Sequence, residues 1–141
     1  LVLLTIILFI CLKNKKDGIL IVINLVTITI LNQNFKFILQ RPRPEGYRII
    51  NETGYSFPSG HSMISMAFYG FLIYFIYQNV VNKYIKWTLI IFLTFLIISI
   101  GISRVYLRVH YTSDVLAGFL VSISYLILYI RIINVLLKKK A

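Results

Sequence analysis

The sequence predicts an all-α protein, a polytopic bundle of transmembrane helices. Hydrophobic residues make up 59% of the 141 residues and charged residues only 13%, whereas soluble domains carry about 25% charged residues. A soluble domain of this size could not bury so much apolar side chain, because small domains leave much of their surface exposed to water. The single cysteine and the 7 glycines and 3 prolines exclude a disulfide scaffold and a collagen-like chain.

Five apolar stretches follow one another, and the last four predict membrane spans. They cover residues 1–12, 19–35, about 62–78, 87–103 and 115–137. About 20 helical residues cross a hydrocarbon core that is roughly 30 Å thick, and the first stretch would cover only about 18 Å. The stretch of residues 1–12 also lacks the preceding basic residues and the following small-residue cleavage site of a signal peptide. We therefore expect a partial span there, and a single membrane-embedded domain over residues 1–141 that is truncated at its N-terminus.

The basic residues predict the orientation of these spans. Of the 15 lysines and arginines, nine lie in residues 13–18, 79–86 and the C-terminal tail, on one side of the predicted membrane. An excess of basic residues marks the cytoplasmic side, so the C-terminus is predicted to be cytoplasmic. Residues 36–61 and 104–114 then face outward with six cations, an exception that binding of an anion would explain. These six are Lys36, Arg41, Arg43, Arg48, Arg104 and Arg108.

The net charge of +11 is compatible with a nucleic acid, an anionic membrane surface or an anionic substrate as partner. Because the chain is so apolar and its cations lie at the ends of predicted membrane spans, an anionic membrane surface and an anionic substrate are the expected partners. No nucleic acid is expected. Arg41, Arg48 and Arg108 are interpreted as interfacial anchors or contacts to lipid headgroups. Arg104, at the end of the fourth apolar stretch, fits such an anchor or an anion site.

The run from Pro58 to His61 opens an apolar helix on the outward side. Ser59 is a candidate N-cap, and the free amides and positive dipole end of such a helix form an anion site. Gly60 would let a ligand oxygen approach the backbone closely. Taken alone, this run is better explained by an ordinary helix start after a loop.

His110 and Asp114 are four residues apart, so on a helix they would share one face. The carboxylate can accept a proton from one imidazole nitrogen and leave the other as a nucleophile or base. The alternative is an interfacial histidine beside an unrelated aspartate. No metal is expected, because Asp17 lies on the other side and the remaining acids and histidines lack metal-ligand spacing.

Three blocks of the outward loops carry a resemblance to a known family. They read Lys36-x6-Arg43-Pro44, then Pro58-Ser59-Gly60-His61, then Ser103-Arg104-x5-His110-x3-Asp114. This pattern resembles the complete motif of the type-2 phosphatidic acid phosphatase superfamily. That superfamily includes lipid phosphate phosphatases, bacterial polyprenyl-diphosphate phosphatases and, more distantly, vanadium haloperoxidases. The resemblance implies a core of six transmembrane helices, of which this chain would contain four and part of another.

The resemblance also implies a role for each matching residue. His110 would be the nucleophile that forms a phosphohistidine, and Asp114 would hold its tautomer. His61 would protonate the leaving oxygen and later activate water. The phosphoryl oxygens would be bound by Lys36, Arg43, Ser59, Gly60 and Arg104, with no metal and no cofactor. Arg41-Pro42 duplicates Arg43-Pro44; spacing to Lys36 selects Arg43, and a share of Arg41 in the same role stays open.

The resulting expectation is an integral enzyme of a bacterial plasma membrane that hydrolyses a lipid phosphate or diphosphate at its extracytoplasmic face. The bias to Ile, Asn and Lys indicates an AT-rich bacterial genome, which favours undecaprenyl diphosphate as substrate, with phosphatidic acid and phosphatidylglycerol phosphate next. The partners would be this substrate and membrane lipids; the oligomeric state is not predicted. The alternatives are a non-catalytic anion-binding membrane protein, a vanadate-binding relative and an inactive remnant of the family.

Overall fold

Four long helices form the protein. The computed structural model describes residues 15–138, with α1 (Lys15–Leu39), α2 (Gly60–Asn79), α3 (Lys83–Tyr106) and α4 (Thr112–Lys138). This range contains no strand, and each of its four helices is long and apolar enough to cross a membrane. The predicted all-α bundle with four spans is confirmed. The partial span predicted for residues 1–12 lies outside the described residues.

Each helix extends between one and four residues further at both ends than its apolar stretch. The start of α3 shows the reason, because Asn82 caps it: its side-chain oxygen accepts hydrogen bonds from the amides of Tyr84 and Ile85 at 3.0 and 3.1 Å. A cap satisfies backbone donors that have no partner within the helix, so it sets where the helix begins. Hydropathy therefore located the middle of each span, and at α3 a polar residue outside the apolar stretch sets where the helix begins.

The second helix, α2, is the centre of the bundle and packs against α1, α3 and α4. Its buried face carries Met63, Ala67, Phe68 and Phe71, at the spacing of one side of a helix. The main core cluster joins all four helices and consists of Ile21, Phe68, Tyr69, Phe71, Ile97, Leu126 and Ile133. By contrast, side chains on the outer faces are largely exposed, as Phe95 of α3 is at 69%. Such an apolar outer surface is suited to lipid.

A close approach and two hydrogen bonds fix α1 and α4 against α2. A Cβ atom at Gly118 would lie 3.1 Å from the backbone oxygen of Ser59, so glycine lets α4 reach the start of α2. Ser122 donates to the carbonyl of Met63 at 2.7 Å, and Asn24 donates to the carbonyl of Ala67 at 2.9 Å. Small residues and interhelical hydrogen bonds of this kind hold membrane helices together.

The two loops that carry the motif residues meet at one end of the bundle. The amide of Ile49, in the loop of residues 40–59, donates to the carbonyl of Leu107 at 3.3 Å. The amide of Ser59 donates to the carbonyl of Asp114 at 3.1 Å, which ties the start of α2 to the start of α4. The short connection of residues 80–82 lies at the opposite end, because consecutive helices run in alternating directions.

Candidate active site

A cavity of about 580 Å³ opens at the end of the bundle where these loops meet. Along α1 it extends from Lys36 to Leu25, about 16 Å at the rise of a helix. Its outer part is lined by Lys36, Arg43, Glu52, Gly60, His61, Arg104 and His110, and its inner part by Leu25, Thr29, Asn32, Gln33, Ile64, Ser65 and Ile100. The cavity therefore joins a cationic, imidazole-containing end to an uncharged groove between α1, α2 and α3, to which Leu25, Ile64 and Ile100 contribute aliphatic side chains.

The two nitrogens of His110 have different surroundings. Nη1 of Arg43 donates to Nε2 of His110 at 3.3 Å, on the cavity side. Nδ1 of His110 lies 3.3 Å from Oγ of Ser56 and 3.5 Å from Oδ2 of Asp114. These contacts assign the proton to Nδ1, so that the lone pair of Nε2 faces the cavity.

The pairing of His110 with Asp114 does not come from a shared helical face. His110 lies in the bend before α4, and Asp114 lies in the first turn of that helix. The carboxylate reaches back to accept a hydrogen bond from the amide of Tyr111 at 2.9 Å, as an acidic residue in a capping box does. The contact predicted for the pair is present, but a helix cap produces it.

Burial makes His110 a poor base in its resting state. Its side chain is 1% exposed. Burial, and then the positive charges of Arg43 and Lys36, lower the pKa of His110 to about 4, although Asp114 and Glu52 act in the opposite direction. The imidazole is therefore neutral at pH 7, which is the form that can act as a nucleophile.

Arg43 is held rigidly beside this nitrogen. Its Nε donates to the carbonyl of Gly54 at 3.1 Å and its Nη2 to that of Thr53 at 3.0 Å. Its Nη1 donates to the carbonyl of Val109 at 2.9 Å and faces the cavity. The fork of the guanidinium thus joins the two motif-bearing loops while one of its nitrogens remains directed at the site.

The other predicted site residues fall into two groups. Lys36, Gly60, His61 and Arg104 line the cavity with Arg43 and His110. Ser59 does not: it is fully buried behind Gly60, and its hydroxyl accepts a hydrogen bond from Ser62 at 3.0 Å. It occupies the N-cap position of α2, yet its side chain makes no capping hydrogen bond. Within residues 15–138, no three His, Cys, Asp or Glu side chains are grouped as a metal site requires.

Residues 17–138 match the family model described as the PAP2 superfamily. The chain belongs to this family. It is 38% identical over 105 residues to the curated Phosphatidylglycerophosphatase B of Bacillus subtilis (strain 168), an alignment that covers 73% of this chain and 51% of that relative. This PAP2 chain thus spans about half the length of the curated relative that it matches. The resemblance stated from the three motif blocks is confirmed.

A solved structure supports the same family at the level of the fold. It is the crystal structure described as the first transmembrane PAP2 type phosphatidylglycerolphosphate phosphatase, from Bacillus subtilis. The similarity has a TM-score of 0.82 at 31% identity and covers 94% of this chain and 66% of that chain. With its four apolar helices, this PAP2 chain is an integral membrane protein.

Arg41 is a residue of this PAP2 chain whose role the sequence left open between an interfacial anchor and a share in phosphate binding. In the structure its Nη1 donates to Oδ1 of Asp114 and to Oγ of Ser113, both at 2.8 Å. Its guanidinium also stacks 4.3 Å from the ring centre of Tyr111. Arg41 does not line the cavity, and it binds the carboxylate that contacts His110.

Two further residues of the loop were not found from the sequence. Ser56, fully buried, donates to Oδ2 of Asp114 and lies within hydrogen-bond distance of His110, so it bridges the pair. Glu52 extends into the cavity between the arginines. Neither belongs to a motif block; the only available signal was that Glu52 is an acid in a strongly basic outward loop.

Proposed function

We propose that this PAP2 protein is a membrane phosphatase that hydrolyses a lipid phosphate through a covalent phosphohistidine at His110. One observation carries the proposal: the unprotonated Nε2 of His110 faces a cavity that is cationic at its mouth and uncharged along the membrane helices. The cationic part is suited to a phosphate, and the uncharged groove, with the aliphatic side chains of Leu25, Ile64 and Ile100, is suited to the lipid chain attached to it. A soluble phosphate ester has no lipid chain and would occupy only the cationic part of the cavity.

The first half-reaction transfers the phosphoryl group to the protein. Lys36, Arg43 and Arg104 bind its oxygens and stabilise the charge that spreads over them in the transition state. Nε2 of His110 attacks phosphorus, the bond to the leaving oxygen breaks, and His61 gives that oxygen a proton. The proton on Nδ1 of His110 stays in place, stabilised by Asp114.

The second half-reaction releases phosphate. The neutral His61 takes a proton from water, and the oxygen of that water attacks phosphorus as the phosphorus–nitrogen bond breaks. Inorganic phosphate leaves, and His110 returns to its neutral form with the proton still on Nδ1. Each step uses side chains alone, and the protonation of His61 is restored at the end of the cycle.

Phosphatidylglycerophosphate is the proposed substrate, because the curated relative and the solved structure are both described as phosphatases of this lipid. The earlier preference for undecaprenyl diphosphate stays a prediction. The decisive experiment is phosphate release by the purified protein in detergent with excess EDTA. It compares phosphatidylglycerophosphate, phosphatidic acid, undecaprenyl diphosphate and glycerol 3-phosphate as the soluble control.

We expect release that EDTA does not change, the highest kcat/KM for phosphatidylglycerophosphate, and little hydrolysis of glycerol 3-phosphate. His110→Ala should abolish release while the variant still binds inorganic phosphate. Absence of release from every lipid by the wild-type protein would contradict the proposal and leave a protein that binds anions without turnover.

The site is further proposed to face the extracytoplasmic side, with the C-terminus in the cytoplasm. The support is the excess of basic residues at the opposite end of the bundle. A cysteine introduced at exposed Tyr47 should react with a membrane-impermeant maleimide in intact cells, after Cys11→Ser, whereas one at exposed Val81 should react only after lysis. The reverse pattern would overturn the orientation.

A further inference from the structure

The carboxylate of Glu52 occupies the centre of the cationic end of the cavity. Oε2 of Glu52 lies 2.9 Å from Nη1 of Arg43 and 3.8 Å from Nε2 of His110. Its Oε1 lies 3.4 Å from Nη1 of Arg104. The side chain is 20% exposed, so most of it is withdrawn from water.

This position overlaps the one that a phosphoryl group needs. A phosphorus atom about to be attacked lies about 3–3.5 Å from the nucleophile, and Oε2 of Glu52 is already at 3.8 Å from that nitrogen. Oε1 of Glu52 lies 4.0 Å from Nδ1 of His61, the proposed general acid. A phosphoryl group bound by the same arginines therefore has to displace the carboxylate.

The displaced carboxylate cannot move far, because the backbone next to it is fixed. Arg43 holds the carbonyls of Thr53 and Gly54, the two residues that follow Glu52. The movement available to Glu52 is rotation of its own side chain, which leaves a negative charge beside the bound ligand. That charge repels a ligand in proportion to the ligand's own charge.

We propose that Glu52 is a specificity-determining residue that acts as a charge filter on the phosphoryl site. It occupies the site when no ligand is bound, and it disfavours a diphosphate more strongly than a monophosphate. This inference rests on the proposed function, because a charge filter at this site would make a lipid monophosphate a better substrate than a lipid diphosphate. Its test is a binding measurement, which gives a result whether or not the protein turns over a lipid.

The test compares Glu52→Gln with Glu45→Gln, a matched control on the same loop whose exposed side chain does not line the cavity. Isothermal titration at pH 8 in detergent would measure the Kd of inorganic phosphate and of inorganic pyrophosphate, which carries more negative charge. Glu52→Gln should bind both anions more tightly than wild type, and its gain should be larger for pyrophosphate, on the order of tenfold per additional ligand charge. Glu45→Gln should match wild type.

Glu52→Asp serves as a second variant, because it retains the charge at the same backbone position. Its ratio of the two Kd values should stay close to that of wild type. Equal tightening of both anions by Glu52→Gln would overturn the charge filter, and unchanged or weaker binding would overturn the occupancy of the site. Failure of the proposed function would instead appear as the absence of phosphate release by wild type, with these binding ratios intact.

Discussion

Nδ1 of His110 lies 3.5 Å from Oδ2 of Asp114, and the aspartate side chain is fully buried. That carboxylate accepts hydrogen bonds from Arg41, Ser56 and the amide of Tyr111. The partners fix it from three directions, so the imidazole beside it is held in one tautomer.

Replacing Asp114 by asparagine should lower kcat by about 10³- to 10⁴-fold with a much smaller effect on KM. The amide can donate a proton to the imidazole and favour the wrong tautomer, and it cannot stabilise a positive charge on His110. Steady-state kinetics on phosphatidylglycerophosphate would measure this. Asp17→Asn, at the other end of α1, is the control and should leave both constants unchanged.

Replacing Arg41 by glutamine should lower kcat roughly tenfold, because a hydrogen bond to a buried charged group is lost. KM should change little, since Arg41 does not line the cavity. Arg41→Lys should recover part of the loss, and Arg108→Gln, at an exposed position, should have no effect. A rise in KM with unchanged kcat would show that Arg41 contacts substrate and would contradict the positioning role.

Loss of His61 should affect the two half-reactions differently. With nitrophenyl phosphate, a good leaving group needs little protonation, so His61→Ala should still form the phosphoenzyme. Activation of water should fall by about 10²- to 10⁴-fold. Stopped-flow absorbance should therefore show a burst of nitrophenol followed by a slow steady state. If the burst disappears together with turnover, His61 is not the general acid and base.

The lowered pKa of His110 predicts how its protonation and the stability of the fold depend on pH. Nuclear magnetic resonance of ring-labelled histidine should report a neutral His110 at pH 6 and 5, with a midpoint of about 4. The unfolded chain would take up this proton near pH 6.5, so acidification from pH 7 to 4 should destabilise the folded state. A midpoint near 6.5 would contradict the burial argument.

The stability part of this prediction has its own control. Thermal unfolding of wild type should lose more stability between pH 7 and 5 than that of His110→Asn, which has no group to titrate there. Parallel losses in both proteins would assign the pH dependence to other groups.

The sequence was sufficient to predict which residues meet at the end of the bundle. Four apolar spans alternate in direction, so Arg43, His61 and His110, which lie in or next to alternate connections, have to lie on one side of the membrane. Spacing to Lys36 also selected Arg43 rather than Arg41 for phosphate binding, and Arg43 lines the cavity whereas Arg41 does not. These inferences depend on periodicity and order along the chain, which a sequence records directly.

The remaining contacts depend on how the loop of residues 40–59 folds. It has neither helix nor strand, so no periodic pattern places its side chains. Arg41 turns toward Asp114, Ser56 bridges to His110 and Glu52 enters the cavity through hydrogen bonds between distant parts of the chain. For the same reason, the buried hydroxyl of Ser59 was expected in the cavity but faces Ser62 instead.

Covalent phosphorylation of His110 distinguishes this mechanism from direct attack by water, and trapping the intermediate tests it. His61→Ala is mixed with ³²P-labelled nitrophenyl phosphate, denatured in alkali within the burst phase and digested for mass spectrometry. Label should appear on the imidazole of His110, stable to alkali and labile to acid, with none in the double variant His61→Ala, His110→Ala. Label on another residue, or its persistence without His110, would contradict a phosphohistidine at this position.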